Sequence, residues 1–260
     1  MNTPKALAER PKDVYFFATC VVDQFFPGAG MDAITLLEQQ GIRVHFPEEQ
    51  TCCGQPAYTS GFPDEARKVA AHQLTLFPES WPVVVPSGSC AGMMKHHYPT
   101  LFSADPVRKA QAEALSARIH ELTDFLVNVL DFQPQDRGEA CTVVLHTSCS
   151  ARREMGVHLT GKKLLDSLDN VKLAQQDHES ECCGFGGTFS LKQPEISGAM
   201  VEDKVKSLKA TGAGCVVSAD CGCLMNILGH AAWKDEQEGR STPTLPGEHI
   251  ASFLLRRSKA

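Results

Sequence analysis

Several common features are missing from this sequence of 260 residues. It has no run of about eighteen apolar residues, which a membrane-spanning helix requires. Its beginning, MNTPKALAERPKD, is polar and has no apolar stretch like that of a secretory signal. Basic residues are not in excess, since 25 Lys and Arg stand against 31 Asp and Glu, a formal charge of -6. We therefore expect a soluble cytoplasmic protein with no transmembrane segment, and no nucleic-acid partner, because broad binding of phosphates needs a basic surface.

The sequence also lacks the signs of a disulfide framework and of a nucleotide site. It has eleven cysteines, an odd number, and the neighbours Cys52 and Cys53 can form a disulfide only in a strained ring. The segment from Gly156 to Lys163 resembles a phosphate-binding loop but ends in Lys where Ser or Thr is required. There is no ferredoxin-type Cys-x-x-Cys-x-x-Cys run. We expect no bound nucleotide or flavin.

Nine of the eleven cysteines form a pattern that occurs twice. The first set is Cys20, Cys52, Cys53 and Cys90, and the second is Cys149, Cys182, Cys183 and Cys221 with Cys223. The offsets between the sets are 129, 130, 130 and 131 residues, so the chain contains an internal repeat of one cysteine-bearing unit. In a chain without signs of secretion, cysteines placed so regularly indicate a metal held by thiolates.

Strands and helices are predicted to alternate in both halves. In the first half we predict strands at 13–20, 43–47 and 81–90, and helices at 31–40, 63–76 and 106–130. In the second half we predict strands at 141–149, 171–175 and 214–220, and helices at 159–168 and 195–209. This alternation indicates an α/β fold of two tandem, pseudo-equivalent, Rossmann-like βαβ halves with small parallel sheets.

The repeat extends beyond the cysteines. The segments HELTDFL from His120 and HIASFLL from His249 contain no cysteine, yet they can be superposed at an offset of 128 residues, which places Leu122 on Ile250 and Phe125 on Phe253. The polar segment 131–140, with Pro and Gly, is the natural boundary. We therefore predict two cysteine-rich repeats, at 1–135 and 136–260.

Each cysteine group is predicted to lie where a strand ends and a helix begins. Unpaired N–H groups and the helix dipole favour a thiolate there, and the glycine after each cysteine pair suits a tight turn. The five thiols of the second half exceed what tetrahedral zinc uses, whereas an iron-sulfur cluster can accommodate them. The first half has Met93 where a fifth cysteine would complete Cys-x-x-Cys, and its four thiols suit a four-iron cluster or a zinc ion. Cys141 and Cys215 are interpreted as core residues.

Polar residues near Cys149 are further candidates. His146 precedes Cys149 by three residues and could donate a hydrogen bond to a cluster sulfur, act as an alternative ligand, or simply end a strand. Arg152 and Arg153 follow Cys149 and could attract a carboxylate or screen a cluster's charge, or form a solvated face.

The duplicated cysteine pattern resembles the CCG family of cysteine-rich domains, which includes the cysteine-rich component of heterodisulfide reductase and the iron-sulfur component of glycolate oxidase. A free-standing pair of domains, with the stretches HTSCSARREMGV and ECCGFGGTFSLKQPEIS, is most similar to the branch found in L-lactate oxidation systems. The resemblance implies a four-iron, non-cubane cluster at each complete five-cysteine motif. Cys223 lies one position early for that motif in the second half. In the first half Met93 departs from it, and a cuboidal cluster, a zinc ion or an empty site all stay open there.

The function that this resemblance implies is electron transfer. The chain would be the iron-sulfur subunit of an oxidoreductase complex that converts L-lactate, a small 2-hydroxy acid, to pyruvate and so allows lactate to serve as a carbon source. Its partners would be a ferredoxin-like iron-sulfur B protein and a C protein of the same lactate utilisation system. Two alternatives stay open: a subunit that reduces disulfides or oxidises glycolate at its cluster, and a zinc-stabilised interaction module without turnover.

Overall fold

The computed structural model describes residues 10–259 and contains two four-stranded parallel sheets. The elements of the first half are β1 (Asp13–Phe16), α1 (Cys20–Phe25), α2 (Pro27–Gln39), β2 (Arg43–His45), α3 (Gln55–Thr59), α4 (Pro63–Gln73), β3 (Val83–Val85), α5 (Gly88–Gly92), a π-helical turn (Met93–His97), α6 (Tyr98–Leu101), α7 (Pro106–Ser116), β4 (Ile119–Glu121), α8 (Leu122–Asp124) and a π-helical turn (Phe125–Val129). The elements of the second half are β5 (Cys141–His146), a π-helical turn (Ala151–Met155), α9 (Val157–Asp166), β6 (Val171–Ala174), α10 (Phe189–Lys192), α11 (Pro194–Ala210), β7 (Cys215–Ser218), α12 (Cys221–Gln237), β8 (Gly247–His249) and α13 (Ile250–Lys259).

The two sheets have the same topology. Their strand orders are β2-β1-β3-β4 and β6-β5-β7-β8, and every neighbouring pair is parallel. The central strands are runs of buried β-branched residues, such as Val83–Val85, as expected for parallel sheets covered on both faces. The predicted α/β fold with two similar halves is confirmed.

The structure corrects the predicted element boundaries in two ways. The run 106–130, predicted as helical, contains β4, and the equivalent strand β8 was also not predicted. Each of these strands contains at most one large apolar residue and runs directly into a helix, α8 or α13, so no strand pattern precedes a turn. In addition, strands predicted to reach Cys20 and Cys90 end earlier, and both cysteines lie in the first turn of α1 and α5.

The two halves share one hydrophobic core. Buried side chains of α2 and the turn Phe125–Val129 pack together with residues of β5, α9 and α13, and α2 lies against α13. This core continues across segment 131–140, where the sequence places the boundary between repeats. Within residues 10–259, no helix combines the length and the apolar character needed to cross a bilayer.

Candidate metal centre

Each half brings four thiols together. In the first half, thiol–thiol interactions join Cys20 to Cys52, Cys52 to Cys53, and Cys53 to Cys90. In the second half they join Cys149, Cys182, Cys183 and Cys223 in the same order. The two sets therefore have the same connectivity, as the repeated spacing indicates.

The cysteine pairs lie on matching turns. Gly54 and Gly184 have φ angles of 85° and 82°, in the left-handed region that glycine adopts without steric cost. The N–H of Gly54 donates to Cys52 Sγ at 3.4 Å, and that of Gly184 to Cys182 Sγ at 3.4 Å. This turn holds the first sulfur of each pair in a fixed orientation.

The structure aligns Cys90 with Cys223, whereas spacing alone aligned it with Cys221. Cys90 is the third residue of α5, and Cys223 is the third residue of α12. Cys221 begins α12 as Gly88 begins α5, and it packs with Val22 and Ala29 of the other half. Its thiol therefore lies in a contact between the halves, and the second half has four connected thiols.

The residue three positions after Cys90 and after Cys223 is not a cysteine in either half, unlike in the Cys-x-x-Cys motif. Met93 is fully buried and lines the site, and its counterpart by helix position is Asn226, whose Nδ2 donates to the Cys183 carbonyl at 2.8 Å. In the first half, the Tyr98 hydroxyl donates to the Cys53 carbonyl at 2.9 Å. These bonds anchor the second cysteine of each pair.

The electrostatics of the first set select one sulfur as the anion. The pKa of Cys52 is lowered to about 3, because its sulfur accepts hydrogen bonds from the thiols of Cys20 and Cys53 and from backbone N–H groups. The pKa of Cys20 is raised by its interaction with Cys52 and by burial. In the second half the pKa of Cys149 is raised by Cys182 and by burial. Metal binding at either set must therefore release protons.

Asp220 connects the two sets. Its carboxylate is 3% exposed and accepts from Ser87 Oγ at 2.9 Å and Ser89 N at 3.1 Å in the first half. It also accepts from Ser148 Oγ, beside Cys149, at 2.9 Å. One buried side chain thus orders the residues next to a cysteine in each half, and the cysteine pattern did not reveal it.

His146 lies directly beside the second set. It is fully buried, and the nitrogen of His146 and the sulfurs of Cys183 and Cys223 all lie within 4.8 Å of one another. Its pKa is lowered to about 3 by burial and by the charges of Lys204 and Arg152, so its ring is neutral. The sequence alone identifies His146 as a candidate ligand or hydrogen-bond donor, whereas no sequence pattern points to Lys204.

The two arginines after Cys149 have different environments. Arg152 forms an ion pair with Glu179 at 2.7 Å, whereas Arg153 is exposed and lines the cavity described below. Cys141 and Cys215, interpreted as core residues, both pack against the shared hydrophobic core.

Both cysteine sets open onto one cavity of about 660 Å³. All nine cysteines of the repeated pattern line it, together with Arg153 and Lys192. A hydrogen bond between Ser60 and Thr188 joins the halves at this cavity. The cavity exists because the carboxyl ends of both parallel sheets point towards it, as is usual for ligand sites in α/β folds.

The distances between the donor atoms differ between the two halves. Two sulfurs on one zinc ion lie at most about 4.6 Å apart, since a Zn–S bond is about 2.3 Å. Within residues 10–259, the one group of three donors that all lie within 4.8 Å is His146 with Cys183 and Cys223. Among the first-half residues that the structure describes, no three such donors all lie within this distance of one another. Clustered cysteines of this kind indicate a metal or iron-sulfur site.

Comparison with known proteins agrees with this site. The model of the CCG family, described as a cysteine-rich domain, matches residues 14–95 and 143–228. The chain is 43% identical over 244 residues to lactate utilization protein A of Shouchella clausii, covering 93% of this chain and 98% of that protein. It is 44% identical over 244 residues to lactate utilization protein A of Bacillus subtilis, covering 94% and 99%.

Among solved structures, the chain is similar to a hypothetical protein from Helicobacter pylori, with a TM-score of 0.68 and 11% identity. The match covers 96% of this chain and 49% of that one, so the chain spans about half the length of that structure. At this identity the likeness concerns the fold alone.

Proposed function

The chain belongs to the CCG family of cysteine-rich domain proteins, and on that basis we propose that it is an iron-sulfur electron-transfer subunit of a complex that oxidises L-lactate to pyruvate. The observation that carries this proposal is the pair of matching four-thiol sets on one cavity. The names of its relatives support a role in lactate utilisation.

The proposed ligands are the connected thiols of each half. They are Cys20, Cys52, Cys53 and Cys90 in the first half and Cys149, Cys182, Cys183 and Cys223 in the second. We assign Cys221 to packing, because it lies among Val22 and Ala29 and has no thiol–thiol hydrogen bond to the other four cysteines. Four thiolates per half suffice for a four-iron cluster.

The chemistry requires an acceptor for electrons, since conversion of lactate to pyruvate removes two electrons and two protons. An iron-sulfur cluster, when bound, accepts one electron, so two sites match the demand. The chain's own residues hold the thiolates in place through the Gly54 and Gly184 turns. Asp220 holds the two halves together beside the thiol sets through its hydrogen bonds to Ser87 and Ser148.

Partner proteins complete the proposal. Because the sequence has no ferredoxin-type cysteine run, onward electron transfer would use a ferredoxin-like iron-sulfur B protein and a C protein. A cytoplasmic location is part of the proposal, since free thiols persist in a reducing compartment.

Metal analysis of anaerobically purified protein tests the proposal. We expect iron and sulfide in both halves, with Cys52→Ser and Cys182→Ser each losing about half of the iron. Cys221→Ser is the matched control, and it should keep its iron. Colourless protein that contains zinc and no iron would instead support the interaction module. Normal growth of a deletion strain on L-lactate, in the absence of a paralogue, would refute the proposed role in lactate oxidation.

The cavity also favours a second candidate. A volume of about 660 Å³, with the cationic groups of Arg153 and Lys192 on its wall, is large enough for a small carboxylate or disulfide to reach the thiol sets. In this case the chain would itself oxidise a 2-hydroxy acid such as glycolate or reduce a disulfide. Steady-state assays of the reconstituted complex with lactate, glycolate and a disulfide distinguish these substrates. Loss of turnover in Arg153→Gln, with metal content unchanged, would favour direct substrate contact.

A further inference from the structure

The two metal sites differ at one buried position. Three residues before Cys20 is Phe17, and three residues before Cys149 is His146; both are fully buried. Phe17 packs in the apolar core of the first half together with Cys53. A phenyl ring cannot bind a metal, whereas an imidazole can.

The His146 ring makes no hydrogen bond in the described part of the chain. Neither of its nitrogens has a hydrogen-bond partner among residues 10–259. Leaving a buried polar group unpaired destabilises a folded protein, so such groups in native proteins call for a specific explanation. Both nitrogens are free for an occupant of the site: one offers a lone pair and the other an N–H.

The ring is within reach of a metal shared with two of the thiols. A nitrogen of His146 and the sulfurs of Cys183 and Cys223 all lie within 4.8 Å of one another. Metal–nitrogen and metal–sulfur bonds are about 2.1 and 2.3 Å, so small side-chain movements allow these three atoms to bind one metal.

We propose that His146 is a nitrogen ligand of the metal centre in the second half, in addition to the four connected thiols. The first centre is then bound by thiolates alone. The identity of the metal rests on the proposed function, but the presence of a nitrogen ligand does not.

A second substitution makes the two centres differ in charge as well. In the first half, Gly54 faces the carbonyl of Ala66, and seven residues later Gln73 is fully buried. In the second half, Gly184 faces the carbonyl of Ser197, and seven residues later Lys204 is 2% exposed. A buried ammonium thus replaces a neutral amide beside the second set.

Lys204 is held firmly in this position. Its Nζ donates to the His178 carbonyl at 2.8 Å and to Gln176 Oε1 at 3.4 Å. Positive charge and nitrogen ligation both raise the reduction potential of an iron-sulfur centre. The second centre should therefore accept an electron before the first.

The direct test is pulsed electron paramagnetic resonance of the reduced holoprotein labelled with ¹⁵N-histidine. We expect the strong hyperfine coupling of a metal-bound nitrogen in the wild type. The variant His146→Phe, which copies Phe17, should lose this coupling and keep the signal of the first centre. His158→Phe, in the same half but outside the group of donors, is the matched control and should keep the coupling.

The possible outcomes are distinct. Only a weak coupling in the labelled wild type would mean a hydrogen bond to sulfur and would overturn the ligand assignment, without any dependence on the folding of a variant. If the protein contains no iron, the proposed function fails while this inference is still tested by X-ray absorption of the bound metal. A nitrogen that His146→Phe removes from the metal's ligands supports the inference, and its absence from the wild type refutes it.

Discussion

The contact between the halves at Gly88 allows a prediction with a definite sign. A Cβ atom at Gly88 would lie 2.4 Å from Ala151 Cβ, 2.9 Å from Val157 Cγ2 and 3.2 Å from Ala151 Cα. Carbon atoms normally approach to about 3.5–4.0 Å, so Gly88→Ala must push α5 away from the second half by about 1 Å. Ala151 is fully buried in the shared core, and no flexible side chain can absorb this movement.

The magnitude follows from two opposing terms. Overpacking of a buried contact costs about 1–3 kcal/mol, whereas replacing Gly by Ala gains about 0.4–1 kcal/mol through the unfolded state. The net loss of about 1–2 kcal/mol should lower the apparent Tm by roughly 2–8 °C, at about 2–4 °C per kcal/mol for a chain of this size. The assay is circular dichroism of anaerobic holoprotein at a fixed scan rate, because unfolding of such proteins is often irreversible.

A matched control separates the contact from a general effect of alanine. Gly229 lies inside α12, and a Cβ there would have no heavy atom within 4 Å. Gly229→Ala should therefore raise the Tm by roughly 1–4 °C. Ala151→Gly added to Gly88→Ala should recover part of the loss, as coupled contacts do. A Tm for Gly88→Ala equal to or above that of the wild type would refute the predicted close packing of the halves.

Three further perturbations test other parts of the structure. Gly184→Ala should destabilise the protein more than Gly54→Ala. Both positions need a positive φ, which costs alanine about 1–2 kcal/mol, but a Cβ at Gly184 would also lie 2.7 Å from a backbone oxygen of α11, whereas a Cβ at Gly54 would lie 3.4 Å from a backbone oxygen of α4. Equal melting temperatures of the two variants would contradict this prediction. Arg257→Met removes the guanidinium that pairs with the carboxylate of Asp136, whose side chain is 1% exposed. We expect denaturant titration to show a loss of about 3–5 kcal/mol in the free energy of unfolding. A loss below about 1 kcal/mol would be inconsistent with a buried ion pair. Burial raises the pKa of Glu121 from 4.5 to about 8, so folding favours its protonated form and stability is lost as the pH rises from 4.5 through about 8. Relative to Glu121→Gln, the wild type should lose on the order of 4 kcal/mol between pH 5 and pH 9, and a pH-independent difference in Tm would refute this.

Most of the fold follows from local patterns. The buried valine runs of the central strands are continuous, and glycine or proline marks the ends of several helices, so the alternation of strand and helix could be predicted. The edge strands β4 and β8 could not, because each contains at most one large apolar residue and takes its conformation from the backbone bonds of the neighbouring strand.

Only part of the metal centre could be predicted from the sequence. The turns at Cys52 and Cys182 depend on adjacent residues, and their glycines identify them in the sequence. The partner of Cys90 was not predictable, because the helices between each cysteine pair and the next strand differ in length, with 11 residues in α4 and 17 in α11. Counting along the chain selects Cys221, whereas the starts of the helices select Cys223.

The amino-acid sequence by itself determined that the chain is a duplicated α/β protein with a thiol-rich turn in each half, because strand pattern, turn glycine and cysteine spacing are local properties. Only the tertiary structure decided which thiols meet, that both sets open onto one cavity, and that Asp220 links them. It also decided that His146 lies beside two sulfurs with no hydrogen-bond partner in the described part of the chain, while Phe17 fills the equivalent place. These relations depend on how two sheets and their helices pack, and contacts between residues more than a hundred positions apart leave no periodic trace in the sequence.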